Sequence, residues 1–121
     1  MVAGGTGITP IYQIIQFITE NELELSPNLT LLFANRTEDD ILLQNELKEF
    51  EEKNPKVKVF YSVDKSIKEN WNGFVGYIDE EKVAKSMGDF AKDIPNTVFL
   101  SCGPPILSNI VEKIWRTKYH V

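Results

Sequence analysis

The opening stretch Met1-Val2-Ala3-Gly4-Gly5-Thr6-Gly7-Ile8-Thr9-Pro10 constrains this chain more than any other. Three small or apolar residues run straight into glycines, threonines and a proline. Ile11, Ile14, Ile15 and Ile18 then follow at helical spacing. The stretch reads as a strand end, a tight glycine turn and a helix start, with Pro10 at the first helical position, where its missing N–H costs nothing. Such a turn leaves backbone N–H groups at the positive end of a helix dipole, and glycines let a phosphate come close. Gly5-x-Gly7-x-x-Pro10 departs from the dinucleotide fingerprint G-x-G-x-x-G by a proline in the last slot. It lacks the Gly-Lys-Ser/Thr of a P-loop, which disfavours triphosphate transfer. A tight turn with no ligand is the alternative reading of the same residues.

Downstream, helical and strand patterns alternate. A first helix is expected from about Pro10 to Glu22, ended by Glu20, Glu22 and Glu24 with Ser26-Pro27-Asn28. Leu29 to Ala34 is a nearly continuous apolar run, as in a parallel strand buried on both faces. After the polar loop Asn35 to Asp40, Asp39 or Asp40 is expected to cap a second helix carrying Leu43, Leu47 and Phe50, which Asn54-Pro55 stops. Val57 to Val63 reads as the third strand, rich in β-branched and aromatic residues. Gly73 to Ile78 leads to Asp79, which caps a short helix carrying Val83 and Met87 and broken at Gly88. Val98 to Cys102 reads as the fourth strand, and Gly103-Pro104-Pro105 turns the chain into a helix with Ile106, Leu107, Ile110, Val111 and Ile114 on one face. Tyr119-His120-Val121 reads as the start of a further strand.

Alternation implies parallel strands joined by right-handed crossovers. Ligands in such sheets bind beyond the carboxyl ends of the strands. The unusual loops all fall on that rim: the glycine turn, Asn35-Arg36-Thr37, Val63-Asp64, Gly76-Tyr77 and Cys102-Gly103-Pro104-Pro105.

Composition narrows the function. With 121 residues, residues 1–121 form one domain. A net charge of −5 argues against a nucleic-acid partner. No apolar run approaches the roughly 20 residues of a membrane span, and no signal peptide opens the chain. One cysteine, Cys102, and one histidine build neither an internal disulfide nor a zinc cage, so no metal is expected and the setting is read as intracellular, in the cytoplasm. Only Met1 to Ala3 precede the turn, so the first strand is expected to be cut short, as in a domain taken from a longer chain.

Individual residues carry paired readings. Asp64 accepts ribose hydroxyls and repels a 2′-phosphate, favouring NADH over NADPH, or it is a solvated loop acid. Arg36 suits a phosphate, or pairs with Glu38 or Asp39. Cys102 is a small core hydrophobe, or its sulfur lies beside a ligand ring; no adjacent base supports a thiolate nucleophile. Trp71 and Trp115 read as packing residues, His120 as surface, and the Glu51-Glu52 and Glu80-Glu81 pairs as solvated helix faces.

Cys102-Gly103-Pro104-Pro105 beside Gly4-Gly5-Thr6-Gly7-Ile8-Thr9-Pro10 closely resembles the nicotinamide-binding domain of the ferredoxin–NADP reductase superfamily. The subfamily likeness is to NADH–cytochrome b5 reductase and the flavin fragment of nitrate reductase. Leu32 to Leu43 and Tyr61-Ser62-Val63-Asp64 resemble that subfamily's second and third strand segments, so the likeness covers nearly the whole chain. It implies an α/β fold of three layers, αβα, with a parallel sheet of about five strands. It implies a preceding FAD-binding barrel domain that this chain does not contain, with any membrane anchor still further upstream. In such proteins the glycine loop, here Gly4, Gly5, Thr6, Gly7, Thr9 and Pro10, holds the NADH pyrophosphate. Thr6 approaches the flavin, Asn35 and Arg36 lie on the nucleotide rim, Asp64 meets the adenosine ribose and Tyr77 lies near the adenine. Cys102, Gly103, Pro104 and Pro105 sit beside the nicotinamide, which makes Thr6 and Cys102 the expected catalytic positions. The implied reaction is hydride transfer from NADH to FAD, with single electrons passing on to a haem protein such as cytochrome b5. A non-catalytic nucleotide-binding module is the alternative. Two departures stand out: Ile106 and Leu107 replace the family's third proline and methionine, and its last strand is not recognisable after Trp115.

Overall fold

The structure is a computed structural model, described for residues 1–21 and 27–121. The loop residues expected at Glu22, Glu24 and Ser26 lie outside the described residues. Five strands form one parallel sheet: β1 (Val2–Gly4), β2 (Leu29–Asn35), β3 (Val57–Val63), β4 (Phe74–Val75) and β5 (Ser101–Cys102), in the order β4-β3-β2-β1-β5. The helices are α1 (Ile8–Glu20), α2 (Gln44–Lys53), α3 (Glu80–Met87) and α4 (Pro105–Tyr119).

The apolar run of β2 explains the three layers. Leu31 and Phe33 face one side of the sheet, where they pack with Ile8, Ile11 and Ile15 of α1 and Leu47 of α2. Leu32 faces the other, with Val83 and Met87 of α3 and Val111, Ile114 and Trp115 of α4. Both faces are covered, so the strand has no polar alternation. β1 divides likewise: Ala3 joins the first cluster and Val2 the second. It pairs with β2 from Val2↔Leu32 to Gly4↔Ala34, and with β5 at Val2↔Ser101 and Ala3↔Cys102.

The strand order places the site. From β1 the chain steps outward through β2, β3 and β4, then returns to the opposite side of β1 as β5. The direction of winding therefore reverses between β1 and β5, and a crevice opens beyond their carboxyl ends. The glycine turn leaves β1 there, and Cys102-Gly103-Pro104-Pro105 leaves β5 there.

Several expectations need correcting. The first helix starts at Ile8, because Gly5–Gly7 form a 3₁₀ turn that runs directly into it. Pro10 is thus the third helical residue, still within the first turn of α1. Asp39 and Asp40 do not cap α2. They close a 3₁₀ turn, Glu38–Asp40, in which Asp40 bonds the Thr37 hydroxyl at 2.8 Å and its N–H at 3.1 Å. α2 begins after Leu43, a left-handed residue with φ 56°. The fourth expected strand shrinks to Ser101–Cys102, paired with β1 at Val2 and Ala3. β4, Phe74–Val75, adds a strand on the β3 edge, paired at Ser62↔Phe74 and Val63↔Val75. No strand starts at Tyr119: that residue ends α4, His120 turns left-handed at φ 56°, and the Val121 N–H returns to the Trp115 carbonyl. Ile106 and Ile110 leave the buried face of α4, which is made by Val111, Ile114 and Trp115 with Leu107 partly covered. Trp115 packs edge-on against Phe99 at 5.1 Å, as a packing residue should. Among the described residues no helix is long and apolar enough to cross a membrane.

Candidate functional site

The two rim turns are in backbone contact. A Cβ on Gly7 would run into the Cys102 carbonyl oxygen, and would stand 2.5 Å from its carbon and 2.8 Å from Gly103 Cα. A Cβ on Gly103 would stand 3.0 Å from Gly4 N and 3.2 Å from Gly4 Cα. Only residues without side chains let the turns close to this separation. Leu107, from the first turns of α4, fills the floor beneath them: a Cβ on Gly4 would meet its Cδ2, and one on Gly103 would lie 3.1 Å from it. Gly5 serves a different need. Nothing lies within 4 Å of its missing Cβ, but its φ of +52° is a left-handed conformation that glycine adopts without strain.

This contact brings two helix N-termini together. α1 begins after Gly7 and α4 after Pro104, and neither start receives a side-chain cap. Neither helix carries an acid in its first turn, whereas α4 holds Arg116 and Lys118 in its last. α3 shows the contrast: Asp79 accepts the Lys82 N–H at 2.9 Å and closes that end. Two neighbouring N-termini without capping side chains turn the positive ends of their dipoles to one place, which suits an anion.

A second cluster lies where β2 and β3 end. Backbone pairing continues past the strands: the Asp64 N–H donates to the Asn35 carbonyl and the Lys65 N–H to the Arg36 carbonyl, each at 3.0 Å. Asn35 is buried, yet neither its amide nitrogen nor its amide oxygen meets a protein partner. A buried amide without partners costs about 1–3 kcal/mol, so the position favours a ligand or solvent contact over simple packing. Glu38 is also buried. Burial pushes its carboxyl up, but bonds from the Ser66 hydroxyl and the Ile67 N–H outweigh this and hold it at about 2. Lys68 pairs with Asp39 at 3.3 Å. Both acids named as alternative partners of Arg36 are thus engaged elsewhere, and Arg36 is exposed.

The structure groups Gly4, Gly5, Thr6, Gly7, Cys102, Gly103, Pro104 and Pro105 at one turn pair. Thr6, Thr9, Pro10, Pro104 and Pro105 are exposed, and Cys102 is half-buried against the α1-side core. It brings Asn35, Arg36 and Asp64 together at the next strand ends, with Asp64 exposed. Tyr77 follows β4 as an exposed side chain, its carbonyl taking the Lys82 ammonium at 2.8 Å. The Gly76 N–H ties that turn to the Val63 carbonyl at 2.8 Å. Sequence reasoning missed Leu107 as a filler between the turns and Glu38 as a buried anchor. Glu38 lies 28 and 29 residues from the groups it binds, a separation with no local signature.

The profile of the oxidoreductase NAD-binding domain family matches residues 1–113. Nitrate reductase [NADH] of Cucurbita maxima is 46% identical over 107 residues, covering 88% of this chain and 11% of that protein. The cytochrome b5 reductase domain of Ulva prolifera nitrate reductase superposes with a TM-score of 0.83 at 35% identity, covering 98% of this chain and 44% of that one. The CS-b5R domains of human Ncb5or, in an NAD+ form, superpose with a TM-score of 0.77 at 25% identity, covering 95% of this chain and 32% of that one. This chain spans about a tenth of the length of the curated relatives it matches. It belongs to the oxidoreductase NAD-binding domain family and has the ferredoxin reductase-like αβα fold.

Proposed function

We propose that this member of the oxidoreductase NAD-binding domain family is the NADH-binding half of a cytochrome b5 reductase-like flavoprotein. Residues 1–121 form that NAD(H)-binding domain, and an FAD-binding barrel domain precedes it in the parent protein. The observation that carries the reading is the pair of uncapped helix N-termini joined by the Gly7–Cys102 contact. When bound, NADH would supply a hydride for a flavin held by the neighbouring domain, the source of electrons for a haem protein such as cytochrome b5.

The residues of this chain bind and orient. Backbone N–H groups of Gly4, Gly5, Thr6 and Gly7, with Thr9 and Pro10 in the following turn, hold the pyrophosphate. Arg36 and Asn35 line the nucleotide rim, and Asp64 accepts the adenosine ribose hydroxyls while repelling a 2′-phosphate. Tyr77 offers an exposed ring to the adenine. Cys102, Gly103, Pro104 and Pro105 flank the nicotinamide, and Thr6, exposed on the rim, faces the flavin side. The chain's work is orientation, which lowers a barrier by fixing reacting groups before reaction.

A second reading keeps the same site but changes the acceptor: the flavin fragment of an NADH-dependent nitrate reductase. The 46% identity to nitrate reductase [NADH] of Cucurbita maxima favours it. Both readings are tested by titrating NADH into the isolated chain calorimetrically and assaying ferricyanide reduction with and without an added flavin domain. We expect NADH binding and turnover only with the flavin domain. Turnover by the chain alone would overturn the division of labour. Binding without turnover in any flavin domain would instead leave a non-catalytic module.

A further inference from the structure

Among the described residues Glu38 is the one acidic side chain in the buried set, 5% exposed. Among the described residues no ion pair is formed by its carboxylate. Instead the Ser66 hydroxyl donates to Oε1, and the Ile67 N–H donates to Oε2 at 2.9 Å and Oε1 at 3.2 Å. Its donors come from a loop that has little apolar anchorage of its own, since Asp64, Lys65, Ile67 and Lys68 are exposed. Burying a carboxylate without an ion partner is unfavourable unless hydrogen bonds compensate it. Here they compensate it only if residues 64–67 keep one conformation. The Asp64 and Lys65 N–H groups bond the Asn35 and Arg36 carbonyls, so residues 64–67 are tied to the end of β2 and the loop that follows it.

We propose that Glu38 is the positioning residue for the adenosine half of the site, holding the Asp64–Ile67 loop so that Asp64 keeps a set separation from Arg36. It touches no reacting atom and no nucleotide. Its effect reaches the ligand through Asp64 and Arg36, and so rests on the nucleotide reading above. A merely structural role predicts equal losses for every ligand of the rim. A positioning role predicts losses confined to the adenosine side, because the Gly7–Cys102 contact is held by other residues, Leu107 among them.

The test uses the whole chain and two probes, ADP-ribose and nicotinamide mononucleotide, titrated into wild type, Glu38→Gln and Ser66→Ala. We expect Glu38→Gln to weaken ADP-ribose about tenfold, equal to about 1.4 kcal/mol, and to leave nicotinamide mononucleotide within about twofold. Ser66→Ala, which removes one donor at a half-buried position, should shift the same probe in the same direction by less. Hydrogen exchange at the Ile67 amide should quicken in both variants. Equal weakening of both probes, or unchanged ADP-ribose binding, overturns the proposal while leaving the nucleotide site intact. Wild type that binds neither probe overturns the nucleotide reading and this proposal with it. If Glu38→Gln does not fold, the Ser66→Ala split between the probes decides alone.

Discussion

Gly7 and Cys102 meet backbone to backbone, with no space between them for even a methyl group. The carbonyl of one rim turn lies against the Cα of the other, so the starts of α1 and α4 are fixed relative to each other by main chain rather than by side chains.

That contact makes a graded prediction. Gly7→Ala forces backbone apart and should cost about 1–3 kcal/mol of stability and most nucleotide binding. Gly5→Ala meets no atom within 4 Å but strains a φ of +52°, and should cost about 1–2 kcal/mol. Urea unfolding and NADH titration of both variants check this. Nucleotide binding retained in Gly7→Ala would show that the turns tolerate a wider spacing.

Asp64 is the residue proposed to set cofactor choice. On the proposed placement of Asp64 at the ribose, Asp64→Thr should move the NADH/NADPH affinity ratio toward NADPH by about tenfold. An unchanged ratio would remove Asp64 from the ribose site.

Asn35 separates stability from binding. Replacing its unpartnered buried amide by a residue of similar volume, Asn35→Leu, should leave stability within about 1 kcal/mol or raise it, since no bond within the protein is lost. Nucleotide affinity should fall. A large loss of stability in thermal unfolding would mean that the amide is satisfied within the fold.

Glu38 makes a pH prediction. Its folded-state value near 2 lies below the ordinary 4.5, so between these values the unfolded chain binds more protons than the folded one. Its contribution is complete above about 4.5 and is lost as pH falls toward 2. The difference in urea midpoint between wild type and Glu38→Gln should therefore be largest near neutral pH and close as the solution is acidified. A difference that stays constant across that window would contradict the bonds from Ser66 and Ile67.

Leu107 and Ile106 are neighbours with opposite expected effects. Leu107→Ala opens space beneath Gly4 and Gly103 and should cost about 2 kcal/mol. Ile106→Ser, at a position 76% exposed, should stay within about 0.5 kcal/mol. Comparable losses in the two variants would put Ile106 in a contact that the fold of this chain does not contain.

The sequence by itself determined the layered plan and the two turns of the site. Hydrophobic period separates helices from strands over windows of ten or so residues, and β2, β3 and α1 carry that signal throughout. Glycines and prolines mark turns through their own backbone limits, so Gly4 to Pro10 and Cys102 to Pro105 were legible without a partner in view. The tertiary structure decided whatever depends on a distant neighbour. Phe74–Val75 is too short for any periodicity and is a strand only because β3 offers Ser62 and Val63. Ile106 and Ile110 look as apolar as Val111, but the position of the sheet selects the side of α4 that is covered. Glu38 looks like any loop acid until Ser66 and Ile67 are folded onto it. Local pattern records what a residue prefers. Burial and hydrogen bonding at long separation are set by which surfaces meet.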